Sequence, residues 1–284
     1  MKVLVTGASG NVGQYVTKAL IEKGDQVVVA GTNLQKLAGM FNDKVDFALL
    51  DFTNIDTFNN ALKNVDRVFL MRPPHLGKPE DMYPFIDAMK DHDIQLVSFL
   101  SLMGIESNPI PPHYKIEKYI EASGIPFAHV RPGFFMQNLS GIHSVEIKNK
   151  NEVFVPAGNS KTSFIDAKDI GLAIATILNN PKTHKNTAHT ITGGQALNYH
   201  QIATILSKIT ERQIVYNKPG FLKYRKHYIK NRGLPKAYVN VTIALYFMTR
   251  IGTARKVTDD FVTLTGKKTR TFEEFAIEHL HCFK

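Results

Sequence analysis

The chain holds a single cysteine, Cys282. One thiol closes no internal disulfide and builds no cysteine metal cluster, as suits a reducing compartment. No stretch reaches the roughly 18 uninterrupted apolar residues of a membrane span. The opening MKVLVTGASG runs from one lysine into a β-branched stretch and then into glycines, without the apolar core and cleavage site of a secretory leader. A cytoplasmic protein with no membrane span is expected. Hydrolase and metal spacings are absent too. The eleven histidines make no H-E-x-x-H or H-x-E…C-x-x-C pattern, so no metal is expected. No G-x-S-x-G elbow marks a nucleophilic serine. Acid is missing from one long segment, since ten Lys or Arg and no Asp or Glu lie between Lys218 and Lys256. The other 25 basic residues balance 25 acidic ones, so this segment carries the whole formal charge of +10. Seven of its basic residues alternate with Phe and Tyr over 218–236, a pattern open to nucleic acid or an anionic membrane. No nucleic-acid-binding signature accompanies it, and a basic run is usually a solvated face, so nucleic acid is not the expected partner.

What is present is an alternation of β-branched runs and helical stretches over the first 150 residues, the pattern of a parallel sheet wrapped by helices. Strands are expected at Lys2–Thr6, Gln26–Ala30, Val45–Leu50, Arg67–Met71, Gln95–Leu100 and Phe127–Arg131, with helices near Asn11–Lys23, Ile55–Lys63, Glu80–Asp91 and His113–Ala122. Gly24 and Gly124 follow two of these helices, where a left-handed residue is expected. Further on, Glu152–Val155 and His189–Thr192 read as short strands, Tyr199–Thr210 as a helix and Tyr238–Met248 as a lid helix. Another helix is expected to start near Asp169, and Thr271-Phe-Glu-Glu274 has the capping-box spacing of a last one. The fold class is α/β, a Rossmann doubly wound parallel sheet. The expected division is a dinucleotide-binding domain over 1–150 and a smaller substrate or lid lobe over 151–284, partly returning to the sheet.

The sharpest motif is Gly7-Ala8-Ser9-Gly10-Asn11-Val12-Gly13, directly after a strand and opening a helix. Gly7 permits the tight turn, Gly10 the approach of backbone to a pyrophosphate, and Gly13 the close packing of helix on strand. The helix N-terminus offers free N–H groups and a positive dipole end, and Ser9 and Asn11 add side-chain donors. A nicotinamide dinucleotide is the expected cofactor. The choice of NAD or NADP falls at the end of the second strand, where Gly31-Thr32-Asn33 brings no carboxylate for a ribose 2′-hydroxyl. Thr32 and Asn33 can donate to a 2′-phosphate, and Lys36 or Lys2 can supply charge, so NADP(H) is favoured over NAD(H). Asp51, with Phe52 beside it, stands after the third strand where such folds contact adenine, though a helix cap is the bland reading. Met71 and Arg72 end the fourth strand on the cofactor side, and Ser101 ends the fifth. Arg72 suits a phosphate or an anionic substrate, or is a solvated loop charge.

The Gly-x-x-Gly-x-x-Gly spacing resembles the atypical branch of the short-chain dehydrogenase/reductase superfamily. Four further stretches are similar to its NmrA-like members: His113–Gly124, Val130–Asn138, Ser163–Ile170 and Thr265–Glu274. The likeness covers nearly the whole chain. It implies a Rossmann fold that binds NAD(P)H and places Pro132 and Phe134 in a nicotinamide-side loop. The family includes NADPH-dependent quinone, dye and aromatic-ether reductases, and also cofactor-sensing regulators without established turnover.

Typical short-chain dehydrogenases use Tyr-x-x-x-Lys, the tyrosine acting as acid. Counted back from Gly124, the family's lysine falls on His113 and its tyrosine on Pro109, which has no proton to give. Tyr114-x-x-x-Lys118 shows the same spacing five residues further along. His113 is the expected catalytic residue, an imidazole able to bond a ribose or a substrate carbonyl, with Glu117 one turn on to orient it. His129, on an apolar strand, reads as a core residue. The chemistry that remains is hydride transfer from the cofactor. The expected function is an NAD(P)H-dependent oxidoreductase acting on a quinone or another conjugated electrophile. Phe221, Tyr224, Tyr228, Tyr238, Tyr246 and Phe247 in the basic lobe would sandwich a flat aromatic or quinonoid substrate, or serve as core. The rival is an NADP(H)-sensing regulator that binds a protein partner without turnover. A homodimer is compatible with either.

Overall fold

The computed structural model describes residues 2–284. Its strands are β1 (Lys2–Thr6), β2 (Gln26–Gly31), β3 (Asp46–Leu49), β4 (Arg67–Leu70), β5 (Leu96–Leu100), β6 (Phe127–Pro132), β7 (Phe134–Phe135), β8 (Lys161–Thr162), β9 (Phe164–Ile165), β10 (Thr187–Ile191) and β11 (Leu197–Asn198). The helices are α1 (Gly13–Glu22), α2 (Leu34–Phe41), α3 (Phe58–Leu62), α4 (Tyr83–Lys90), α5 (Pro112–Ser123), α6 (Gln137–Ser140), α7 (Ser144–Lys150), α8 (Ala167–Asn179), α9 (Pro181–His184), α10 (Tyr199–Thr210), α11 (Phe221–Lys226), α12 (Lys236–Arg250), α13 (Asp260–Thr265), α14 (Phe272–Glu278) and α15 (Leu280–Phe283).

Seven strands pair in the order β10-β6-β5-β4-β1-β2-β3, all parallel. This is the doubly wound Rossmann sheet. Its strand order reverses between β1 and β4, where such folds bind ligands beyond the strand ends. Strands buried on both faces need continuous apolar runs, and Val3, Leu4 and Val5 of β1 are fully buried. Helix α1 ends at Gly24 and α5 at Gly124, both left-handed with φ of 81° and 80°. The start of β4 buries a guanidinium: Arg67 donates to the Leu178 carbonyl at 2.6 Å and to the Asp25 carboxylate at 2.9 Å.

Four expected elements changed form or bounds. The segment Ile55–Lys63 opens as a 3-10 turn over Ile55–Thr57 before α3, and a proline-led turn, Pro79–Met82, precedes α4. The strand expected at Glu152–Val155 reduces to one bridge, Glu152 with Val215. Pro156 follows at once and has no N–H for a ladder, while Val153 and Val155 are spent on the core. The strand expected at His189–Thr192 starts earlier and adds a seventh strand beside β6.

The chain divides into two compact units, each built from three separate stretches of sequence. The first takes the chain up to Pro132, then Ala167–Ile191 and Asp260–Lys267. The cause is visible in its packing. Helix α8 lies on α1, where Gly171 leaves no room for a Cβ, which would fall 2.6 Å from the Tyr15 Cβ. The second unit takes Gly133–Asp166, Thr192–Asp259 and Lys268–Lys284. Its core holds Tyr224, Tyr228 and Tyr246, all buried, so these three are packing residues and not faces offered to a flat substrate.

Tyr228 and Tyr246 belong to a buried polar chain. Glu146 accepts from Tyr228 Oη at 3.0 Å, from Arg232 at 2.8 Å, and lies 2.8 Å from His227 Nε2. Burial would raise the Glu146 pKa, but His227 and Arg232 outweigh it and hold the carboxyl below its ordinary range. Tyr228 spends its proton on that carboxylate, so its oxygen accepts from His143 Nδ1 at 2.7 Å. His143 Nε2 is then the acceptor for Tyr246 Oη, also at 2.7 Å. The order of protons along the chain is fixed by elimination.

Burial lowers the pKa of His143 to about 3 and that of His129 to about 4. Both are neutral when folded, whereas the unfolded chain protonates them near 6.5. Their contribution to stability is present above that value and is lost as pH falls toward the folded pKa, by on the order of 3 kcal/mol per residue. His129 stacks on Phe127 at 4.5 Å, and its Nε2 lies 3.4 Å from the Glu121 carboxylate. Phe in its place should leave stability at pH 7.5 within about 1 kcal/mol and move the acid-unfolding midpoint to lower pH, read by denaturation across pH. An unmoved midpoint would show that His129 does not drive the acid transition.

Candidate dinucleotide site

The site begins with a turn that has no space for side chains. Gly7 leaves β1 with φ of 61°, and a Cβ there would fall 2.1 Å from the Met71 Sδ, which lies over the turn. The Gly10 N–H donates to the Gly7 carbonyl at 2.9 Å and closes it. A Cβ on Gly13 would lie 2.2 Å from that same carbonyl oxygen. Helix α1 therefore starts hard against β1, with no side chain capping its N-terminus and no acid in its first turn. Ser9 is half-buried, Asn11 exposed and Val12 buried in this cradle. Beneath it, Thr6 was missed from the sequence: its buried hydroxyl donates to the Phe69 carbonyl and accepts from the Met71 N–H, each at 3.0 Å. A polar residue ending an otherwise apolar strand was the available signal.

Beyond β2, Thr32, Asn33 and Lys36 are all exposed. Asn33 caps α2, its side-chain oxygen accepting from the Lys36 N–H at 2.9 Å, which leaves its amide NH2 free to donate. Lys2 does not join them. It starts β1 at the amino edge of the sheet, the far end of the strand from the cradle, and pairs with Asp46 at 2.7 Å. After β3, Asp51 Oδ1 accepts from the Thr53 N–H and hydroxyl at 2.9 and 2.7 Å, and these bonds hold its carboxyl below the usual range. Phe52 packs edge-on against Phe85 at 5.1 Å.

At the carboxyl ends of β4 and β5 lie polar atoms that are buried yet have no partner among the described residues: Arg72 Nε, Ser101 Oγ and, at the start of α5, His113 Nδ1. Arg72 is half-buried, its other end donating to the Pro73 and Leu76 carbonyls. Burial, with the Arg72 charge facing it, pushes His113 down to about 4. The imidazole is therefore neutral at physiological pH. Buried unpaired donors and acceptors of this kind cost about 1–3 kcal/mol each unless something bonds them.

Glu117 does not orient His113. Both its oxygens are taken by Arg131 from β6, at 3.0 and 2.7 Å, a bidentate pair that a buried carboxylate requires. The Tyr114/Lys118 pair is not an acid dyad either. Lys118 Nζ lies 6.0 Å over the Tyr114 ring and is bound to Glu121 at 2.7 Å, on an exposed face of α5. Pro132 ends β6 in the first unit, while Phe134 belongs to the second, with its ring edge-on to Phe164 at 5.9 Å.

A parallel sheet with a glycine cradle at its switch point defines a Rossmann-type dinucleotide-binding protein. The sequence profile of the NmrA-like family matches residues 1–276, and the chain belongs to that family. It is 30% identical to the prestalk A differentiation protein A of Dictyostelium discoideum, over 98% of this chain and 92% of that one. It is 29% identical to the NAD(P)H azoreductase of Xenophilus azovorans, over 99% of both. Among solved structures it resembles an NADPH-dependent quinone oxidoreductase of Escherichia coli complexed with NADPH, with a TM-score of 0.89 at 21% identity over 99% of this chain and 100% of the other. A triphenylmethane reductase of Citrobacter sp. complexed with NADP(H) follows at a TM-score of 0.86 and 20% identity, over 98% and 99% of the two chains. These two structures share the fold.

The cradle makes a direct prediction. Gly13→Ala should cost about 1–3 kcal/mol in thermal unfolding, because its Cβ meets backbone that cannot move aside. Gly39→Ala, in α2 with nothing within 4 Å, should instead add roughly 0.5–1 kcal/mol. Equal melting of the two variants would refute the close contact.

Proposed function

We propose that this protein is an NAD(P)H-dependent oxidoreductase that carries hydride from a nicotinamide, NADPH by preference, to a quinone or another flat conjugated electrophile. The observation that carries this reading is the set of unpartnered buried atoms, Arg72 Nε, Ser101 Oγ and His113 Nδ1, on the same sheet edge as the glycine cradle. A cradle with no room for a Cβ at Gly7 or Gly13 suits a pyrophosphate brought close to backbone. The names of the azoreductase and quinone oxidoreductase relatives support the same class.

Bound there, the dinucleotide supplies the hydride. Gly7, Ser9, Gly10, Asn11, Val12 and Gly13 hold its phosphates against the start of α1. Thr32, the Asn33 amide and Lys36 receive the 2′-phosphate of NADP, and Asp51 with Phe52 borders the adenine. Met71, Ser101 and Pro132 take the nicotinamide side. Arg72 supplies a positive charge for a phosphate or for an anionic acceptor. His113 bonds the acceptor carbonyl as a neutral imidazole, polarising it without delivering an imidazolium proton. The reduced acceptor takes its protons from water, which a quinone tolerates because its reduced anion is stabilised.

One observation favours the rival reading, an NADP(H) sensor without turnover. Among the described residues the Tyr114/Lys118 pair forms no acid dyad, since Lys118 is tied to Glu121 on an exposed face of α5. Oxidation of NADPH and NADH against a panel of quinones separates the two. Multiple turnover establishes the reductase, tight binding without turnover leaves the sensor, and failure to bind either cofactor removes both.

Two variants sharpen the reading. His113→Ala should lower kcat/KM by about 10- to 100-fold while the cofactor Kd stays within about twofold. The wild-type profile should show no inflection near 6.5, the pKa of an unburied histidine. Thr32→Asp places a carboxylate at the end of β2 and should weaken NADPH by roughly tenfold or more, with NADH little affected. Unchanged discrimination would remove this edge from cofactor selection.

A further inference from the structure

Helix α12 breaks the rule for surface helices. Its only charged residues are Lys236 at the start and Arg250 at the end. A helix that is apolar all round is normally covered on every side. Here only one side is covered. Val239, Tyr246 and Thr249 pack into the core of the second unit, with Ile243 beside them. At 100° per residue, the opposite side carries Ala237, Val241, Ala244 and Met248, with Leu245 at its border. Val241 is 60% exposed and Leu245 47%, and the chain continues into Ile251, again 60% exposed. Asn240 is the one polar side chain near this stripe, and it accepts from Arg225 at 3.1 Å.

Charge decides what the stripe fits. The surrounding segment holds ten basic residues and no acidic one between Lys218 and Lys256. Lys223, Lys226 and Lys230 precede the helix and Arg255 and Lys256 follow it, all exposed. A second copy of this chain would set a like-charged collar against this one. A nucleic acid would find no phosphate partner along the uncharged middle of the helix, from Ala237 to Thr249. A bilayer with acidic headgroups meets both features, apolar depth for the stripe and negative charge for the collar. No described helix is long and apolar enough to cross a membrane, and α12, about 22 Å long, would lie in the interfacial plane.

We propose that the outward face of α12, with its flanking lysines and arginines, docks this protein on the surface of an anionic membrane. Docking does not depend on the proposed chemistry and is measured without cofactor or acceptor.

The chain contains no tryptophan, so Val241→Trp introduces a single reporter on the stripe. Titrated with phosphatidylcholine vesicles containing phosphatidylserine, its emission should shift to the blue and become accessible to a quencher held in the acyl region. Pure phosphatidylcholine should give little shift. Wild-type protein should sediment with the anionic vesicles and be released by salt, because surface attraction is screened. Val241→Asp and Leu245→Glu, at exposed positions that should leave the melting temperature unchanged, should each weaken sedimentation by about tenfold or more. The charge reversals Lys226→Glu and Lys230→Glu together should do the same. The proposal is overturned if wild-type protein fails to bind acidic vesicles, or if Val241→Asp binds them as wild type does. It is also overturned if Val241→Asp disperses a dimer that itself ignores vesicles, or if a duplex oligonucleotide is the only anionic surface bound.

Discussion

The first turn of α1 has no room for a Cβ at Gly13, and much of the molecule follows from that contact. It sets how closely the helix sits on β1 and leaves the start of α1 uncapped over the sheet edge. The same closeness is repeated one layer out, where Gly171 of α8 rests on the backbone of Tyr15 in α1. Two glycine contacts thus tie β1, α1 and α8 into one block. Met71, Ser101 and the start of α5 lie at the carboxyl edge of the sheet that this block supports. Shape complementarity of this kind tolerates little change in volume, because protein interiors are packed to crystal-like density.

The charges taken inside follow a second rule, that each must arrive with its partner. Arg67 brings Asp25 and the Leu178 carbonyl, Glu117 brings Arg131, and Glu146 brings Arg232, His227 and Tyr228. Removing one member of such a pair leaves a buried charge uncompensated, a loss of roughly 3–5 kcal/mol. Some buried polar atoms elsewhere in the molecule are also left over, and three of them fall together. Arg72, Ser101 and His113 each keep a buried polar atom without a partner, and all three lie at one edge of the sheet.

The sheet and its cradle were legible in the sequence because they rest on local signals. Each of the six strands read from the first 150 residues ends within one residue of its expected bounds, and the central ones are the continuous apolar runs that burial on both faces demands. The glycine cradle, the left-handed residues after α1 and α5 and the capping box at Thr271 and Glu274 are likewise written within a few residues. Pairings over long separations were not legible. Spacing put Glu117 one turn from His113, but the carboxylate answers to Arg131, fourteen positions on, because a buried acid needs the stronger bidentate partner. Charge alone offers Lys2 as a phosphate ligand, and only strand direction shows that it lies at the other edge. The aromatics of the basic lobe divided for a similar reason. Helical phase sends Tyr246 inward and its neighbour Phe247 outward, and a flat list of rings hides that phase.

The return of the chain to its first sheet has a consequence for how the protein is made. Strand β6 is complete at Pro132, but its outer edge is covered only when β10 arrives at Thr187–Ile191. On a ribosome, the intervening residues pass through the exit tunnel while that edge still displays unpaired backbone groups, the kind of template on which chains aggregate. The last piece of the first unit, α13, comes later still, at Asp260–Thr265, where Asp260 accepts from the Thr190 N–H of β10 at 2.6 Å. The glycine cradle near the start of the chain is thus synthesised long before the sheet that carries it is complete. Nascent chains halted before residue 187 therefore expose the edge of β6 that β10 covers in the finished molecule.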